Sequence, residues 1–265
     1  MNPLYTGNMT YWGLPSALVA EHGQAIVAGP PGLYLADLTD GGANDFEQTT
    51  SADAPQMYHN AQNRRPALSF DGSRQYMTGA GFGTLFGASA KTLAIAFNVL
   101  SVGANGAIIG DAGSKFGVYV QAGPSLVIYH NDGAADTITF TSADGFGLEA
   151  WHVLVVTHNG VTLWAMLDTY ESLKLTASGA TSGGGTMRLG VSGAGDFQEC
   201  LIGELQAFNA PFNPNGADNS ALHQILSYFQ SEWLDRGDPL AMAQDVMARR
   251  MVNGMRPLSE LEILA

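Results

Sequence analysis

The sequence is short of charge. Only 13% of its 265 residues are Asp, Glu, Lys or Arg, against about 25% in an ordinary soluble protein. Basic residues are the scarcest: 11 Lys and Arg stand against 24 Asp and Glu, a net charge of −13. A chain with that balance cannot neutralise a phosphate backbone, which excludes nucleic acid as a partner. Its single cysteine, Cys200, rules out an internal disulfide and any cysteine-built metal cluster. No apolar run reaches the roughly 18 residues of a membrane span. The first twenty residues hold no Lys or Arg and are broken by Gly7, Gly13 and Pro15, so no secretory leader is expected there. Chemistry-bearing motifs are missing too. The six histidines show no HExxH or paired spacing, and Gly79-Ala80-Gly81-Phe82-Gly83 is not a phosphate-cradling GxGxxG.

What the chain has is 33 glycines and many uncharged polar residues. That composition suits an all-β protein with many tight turns. Three zones emerge. Residues 1–63 contain no Lys or Arg and carry six acids; residues 64–234 read as strands and turns, ending in a helix; residues 235–265 hold four basic residues and read as helix. In the middle zone Leu93, Ile95, Phe97 and Val99 alternate with Thr92, Ala94, Ala96 and Asn98, which predicts a strand with one packed face. Phe116, Val118 and Val120 repeat the pattern, as do Ile138 with Phe140, and Trp151, Val153 and Val155. Val161–Leu167 is apolar on both faces, the signature of a central strand. Asp71-Gly72, Asn105-Gly106, Asn131-Asp132-Gly133, Asp144-Gly145 and Asn159-Gly160 are turn signals, since these pairs tolerate positive φ. Many short strands with regular turns imply a sandwich or barrel. Leu222, Ile225, Leu226, Phe229 and Trp233 form one apolar helical stripe, with Asn219 or Ser220 as N-cap. Leu240–Val252 reads as a further helix and Ser259–Glu262 as a capping box.

The order of these pieces resembles the concanavalin A-like, laminin G-like jelly rolls. Pro66-Ala67-Leu68-Ser69-Phe70-Asp71-Gly72 with Gln75-Tyr76-Met77 looks like their entry strand. Trp151-His152-Val153 with Asn159-Gly160, Met187-Arg188-Leu189-Gly190, and Glu204-Leu205 with Phe208-Asn209 follow in the family's order. The helix ending Tyr228-Phe229-Gln230-Ser231-Glu232-Trp233 is similar to the ending found in phage members, and Leu35–Leu38, Gln48–Thr50 and Ala54-Pro55 resemble their lead-in. The likeness spans roughly residues 25–234. Two departures stand out: Met166-Leu167-Asp168-Thr169 at a hairpin tip, and Glu232 where a Lys is usual. The resemblance implies a two-sheet antiparallel jelly-roll sandwich, concanavalin A-like, with a short C-terminal helical extension. Residues 1–63 would be lead-in strands and arm of that sandwich, 64–234 the jelly roll proper, and 235–265 a helical docking tail.

Glucan-cutting enzymes on this fold place carboxylates on one strand face as E-x-D-x-E. Here Glu204 is flanked by Ile202 and Gln206, so no enzyme activity is expected and Glu204 reads as structural. Calcium sites on the fold use loop oxygens. Asp71, Asp111, Asn131 and Asp132 lie on turns and could contribute, but the ordinary role of turn formers is the better reading for each. No organic cofactor is implied. Sugar stacking is available to Tyr58, Tyr119, Tyr129, Trp164 and Tyr170, with Tyr129 grouped with the four loop residues as a candidate ligand site. Met242, Val246, Met247, Met251, Leu258, Leu261 and Leu264 give the tail an apolar, adaptable surface for a partner or a second copy. The expected function is a non-enzymatic bacteriophage virion protein (head decoration, fibre or tail component), made in the bacterial cytoplasm, with other virion proteins or copies of itself as partners. The alternative is a carbohydrate-binding host-adhesion module recognising host surface glycans, and a third reading is a divergent glycosidase. A shallow aromatic groove on the concave sheet would favour the sugar-binding reading, and a large apolar interface on the terminal segments would favour assembly.

Overall fold

The computed structural model describes residues 9–13, 33–35, 46–63, 65–79, 91–103, 105–113, 115–131, 135–179, 186–193, 195–208, 210–215 and 219–234. In chain order the strands are β1 (Met9–Gly13), β2 (Leu33–Leu35), β3 (Phe46–Gln48), β4 (Gln56–Gln62), β5 (Arg65–Asp71), β6 (Met77–Gly79), β7 (Lys91–Val99), β8 (Asn105–Asp111), β9 (Phe116–Gln121), β10 (Ser125–Asn131), β11 (Ala135–Phe140), β12 (Trp151–His158), β13 (Thr162–Leu167), β14 (Lys174–Ala177), β15 (Met187–Leu189) and β16 (Glu199–Phe208). A helix, α1 (Asn219–Trp233), follows. Sheet A runs β14-β13-β12-β7-β16-β5-β4, with β1 also on β16, and sheet B runs β11-β10-β9-β8-β15-β6-β3-β2. All strand pairs within the two sheets are antiparallel, which is the two-sheet sandwich expected from the sequence.

The core lies between the sheets. Leu93, Ile95 and Phe97 of β7 and Leu154 and Val156 of β12 belong to one buried cluster with Val118, Val120, Leu126, Ile128, Ile138 and Phe140 of sheet B. Each fully buried side chain of this kind contributes roughly 1.5–3 kcal/mol. Strand alternation then sends the intervening residues to the two outer faces.

Four readings need correcting. β7 is packed on both faces, because Ala94 and Ala96 lie under α1. On β12 the sandwich core takes Leu154 and Val156, while Val153 and Val155 face the helix. Asn105-Gly106 is not a turn but the start of β8. Gly106 is required there because a Cβ would stand 2.7 Å from the Phe197 carbonyl oxygen. Val161 is an exposed turn residue, so β13 begins one residue later than the apolar run suggested, and it is an inner strand between β12 and β14. The turns at Asp71-Gly72, Asp144-Gly145 and Asn159-Gly160 are present, each glycine with positive φ. The 240–252 helix, Ser259–Glu262 and the whole tail surface (Met242, Val246, Met247, Met251, Leu258, Leu261, Leu264) lie outside the described residues.

Candidate functional site

The outer face of sheet A is closed. Leu222, Ile225, Leu226, Phe229 and Trp233 of α1 bury the apolar stripe read from the sequence against Ala94, Ala96, Val153, Val155, Met166 and Phe208. Glu204 anchors this helix. Its Oε2 accepts from Trp233 Nε1 (3.0 Å) and from Tyr228 OH (3.2 Å), and its Oε1 accepts from Gln206 Nε2 (2.7 Å). Arg65 stands 3.8 Å from the same carboxylate, pairs with Glu232 and lies over the Trp233 ring. Gly203 makes the approach possible, since a Cβ there would meet the Trp233 ring at 2.2 Å. Glu232 is thus the partner of Arg65, which gives the second departure from the family pattern a structural role. Glu204 is wholly buried and committed to the helix, so the carboxylate a glycosidase reading would need is not open to substrate.

The outer face of sheet B is partly open over β9 to β11 and differently furnished. Register places Thr137, Tyr129, Gly117 and Gly110 in one row across β11, β10, β9 and β8, with Arg188 of β15 beyond. The next row holds Thr139, Val127, Tyr119 and Ala107. Gly117 is what lets Tyr119 lie down: a Cβ at 117 would stand 2.3 Å from that ring. Tyr119 and Tyr129 pack edge to face, with centroids 6.3 Å apart and planes at 89°. Asn105, Tyr119, Gln121, Val127, Tyr129, Thr137 and Asp196 enclose a groove of about 390 Å³. Asp196 reaches it because segment 196–198 runs beside the first half of β8, where Ala107 N donates to Asp196 O (3.1 Å) and Ala107 bridges Phe197.

Polar groups in the groove are held, not loose. Asn131 Nδ2 donates to Tyr129 OH (3.0 Å), and Ser192 Oγ donates to Asp196 Oδ2 (3.0 Å). Burial, then the negative charges of Asp111 and Asp196, push the Tyr119 hydroxyl up to about 12, against the pull of its hydrogen bond with Ser192. At neutral pH that hydroxyl is therefore protonated. The arrangement offers aromatic faces for C–H surfaces and amide, hydroxyl and carboxylate groups for hydroxyls, in a site of mostly uncharged residues.

The sequence candidates separate on this frame. Tyr129 lines the groove and Asn131 orients it. Asp111 is buried, with Oδ1 accepting from Lys115 N (2.5 Å) and Phe116 N (2.9 Å), so it builds the β8–β9 turn. Asp71 is in the other sheet, where Oδ1 accepts from Ser73, Arg74 and Gln75 N–H groups. Slight burial would raise its carboxyl, but those three bonds prevail and hold it at about 2. Asp132 lies outside the described residues. Among the described residues no group of three or more His, Cys, Asp or Glu is placed to hold a metal ion, and Asp71 is not brought together with Asp111. Of the other aromatics, Tyr58 is exposed away from the groove, Trp164 is buried, and Tyr170 stacks on His223 and donates to Pro214 O (2.7 Å). Asn105, Gln121, Thr137 and Asp196 are new. The Gly117-x-Tyr119 step and the outward positions of β9 to β11 were the available signal.

Two of the described histidines meet in space. His130 and His158, from opposite sheets, lie with ring centroids 4.5 Å apart and are both buried. His158 Nδ1 accepts from Gly160 N (3.4 Å), so Nε2 donates to Ser178 O (2.9 Å). His152 is a packing residue. Its ring lies against Phe97 and Phe146, and Nδ1 bonds Asp168 Oδ2 (2.7 Å). Asp168, the altered hairpin tip, adopts positive φ and caps β12 through Val153 N (2.7 Å).

No family model matches the chain, and no curated protein sequence matches it. Solved structures do resemble it. The binding domain of Paraclostridial Mosquitocidal Protein 1 superposes with a TM-score of 0.57 at 12% identity, over 84% of this chain and 53% of that one. The botulinum neurotoxin serotype D binding domain gives 0.54 at 9% identity, over 83% and 53%. Trypanosoma rangeli sialidase gives 0.55 at 11% identity, over 83% of this chain and 33% of the enzyme. This chain therefore spans about half the length of the toxin binding domains and a third of the sialidase. At such identities the likeness is one of fold, an all-β sandwich.

Proposed function

We propose that this is a non-catalytic carbohydrate-binding domain whose ligand sits on the outer face of sheet B. One observation carries the reading: two tyrosines packed edge to face on the solvent side of a sheet, in a groove otherwise lined by amides, a threonine, a valine and one carboxylate. Core tyrosines would point inward, and these do not. Aromatic faces stack on sugar C–H surfaces while fixed polar groups take the hydroxyls. Two of the structural neighbours are named as binding domains, which accords with this reading. The virion setting expected from the sequence is compatible with it. A bacteriophage particle carrying this domain would present the open face to host glycans.

A glycan array probed with the full chain tests the proposal. Binding to a defined set of saccharides, lost in Tyr129→Ala and kept in Tyr58→Ala, is the expected result. Equal binding by wild type and Tyr129→Ala would remove the groove as the site.

A further inference from the structure

Building on that reading, we infer that the groove selects neutral, hydroxyl-rich saccharides and rejects sugar acids. The inference rests on the charge of the lining. Asp196 is the one acidic residue in the lining, and neither Lys nor Arg takes part. Asp196 Oδ2 is fixed by Ser192 Oγ, and Oδ1 makes no hydrogen bond among the described residues. A carboxylate held by one oxygen presents acceptors suited to a vicinal pair of sugar hydroxyls, which donate. The same carboxylate repels a carboxylate or sulfate on the ligand.

The cations of this sheet face are elsewhere. Arg188 lies beyond Gly110 and does not line the groove. Lys174 Nζ is held by Thr139 O (2.7 Å) and Asp144 Oδ1 (2.7 Å). Lys115, whose carbonyl accepts from Asn131 N, sits at the β9–β10 end beyond Tyr129 and is also outside the lining. The Tyr119 hydroxyl is displaced upward by burial first and then by Asp111 and Asp196, and that second contribution is the same negative field felt inside the site. The net charge of −13 works in the same direction at longer range. A protonated Tyr119 hydroxyl and the Asn105 and Gln121 amides supply donors without positive charge.

The test uses the full chain with matched glycans: neutral galactose- or glucose-terminated oligosaccharides, and the same oligosaccharides capped with sialic or uronic acid. Affinities are measured by saturation-transfer NMR and calorimetry for wild type, Tyr129→Ala, Tyr129→Phe and Asp196→Asn. The expected pattern is binding of neutral glycans and at least about tenfold weaker binding of acid-capped ones, the scale of one like-charge contact in a partly desolvated site. Tyr129→Phe keeps binding and Tyr129→Ala loses it. Asp196→Asn narrows the gap between neutral and acidic ligands. Acid-capped glycans bound as tightly as neutral ones, with the signal lost in Tyr129→Ala, would overturn the selectivity and leave the groove intact as the site. Binding indifferent to Tyr129, or no binding to any panel member down to millimolar affinity, would overturn the binding reading itself and this inference with it.

Discussion

The two outer faces of the sandwich come from the same alternation rule and end in opposite states. On sheet A the outward positions include Ala94, Ala96, Val153, Val155, Met166 and Phe208, and α1 seals them. On sheet B over β9 to β11 they include Tyr119, Gln121, Tyr129, Thr137 and Thr139, which stay open or half-open. Each face uses a glycine to admit an aromatic ring: Gly203 for Trp233, Gly117 for Tyr119. On the first face the ring is fully buried and its N–H is bonded by a carboxylate; on the second the ring stays half-buried beside a groove. If the proposed reading holds, face A carries stability and face B recognition, and substitutions should sort accordingly.

The largest expected effect is on the closed face. Trp233→Ala removes a fully buried indole that closes the helix and leaves Glu204 short of a donor. Its cost should be about 3–5 kcal/mol, read as a fall in the urea midpoint. A loss below about 1 kcal/mol would mean that α1 is dispensable to the sandwich. Glu204→Gln comes next. The amide keeps the shape but turns a donor toward Trp233 Nε1 or Gln206, so about 1–3 kcal/mol is expected, with no change in glycan binding. Parallel loss of binding would show that the two faces are coupled.

The open face should behave in the reverse way. Tyr129→Ala should cost only about 1 kcal/mol of stability, the worth of an edge-to-face pair, while abolishing saccharide binding. Gly117→Val should do the same without touching a lining residue, because its side chain occupies the space of the Tyr119 ring. Retained binding in Gly117→Val would show that Tyr119 need not lie flat for the groove to work.

Much of the fold was legible and much of the site was not, for one reason. Period-two runs identify strands, and the stripe ending in Trp233 identifies α1, because burial demands apolar residues at fixed spacing. The same pattern misassigned Ala94 and Ala96 to a free face, since alanine is small enough to read as either exposed or packed under a helix. Asp71 and Asp111 drew notice as hard oxygen donors, yet their oxygens serve turns, which sequence cannot separate from ligation. Asp196 and Asn105 went unnoticed because they meet Tyr129 through strand pairing and a loop excursion. His130 and His158 meet across the sandwich, 28 residues apart in the chain. The glycine at 117 was readable in principle: two residues before an outward tyrosine, it marks where a ring can fold back along the strand.

The smallest effect, and the sharpest probe of the open face, is alkaline titration. Tyr119 is raised from an ordinary 10.0 to about 12 by burial first, then by Asp111 and Asp196. On the closed face burial and Glu204 also drive the Tyr228 hydroxyl upward. Folding that raises a phenol's pKa favours its neutral form. The associated stability is therefore complete below pH 10 and is lost as pH rises through about 12. Wild type should lose stability across that window more steeply than Tyr119→Phe, which has no proton to lose there. Tyrosinate absorbance near 295 nm should show one fewer late-titrating group in Tyr119→Phe than in wild type. Asp196→Asn should move the Tyr119 step down toward 10, because it removes one of the two charges opposing ionisation and leaves α1 and Tyr228 untouched. An unshifted step in Asp196→Asn would place Asp196 too far from the hydroxyl to be felt, and the negative field of the groove would then have to come from Asp111 alone.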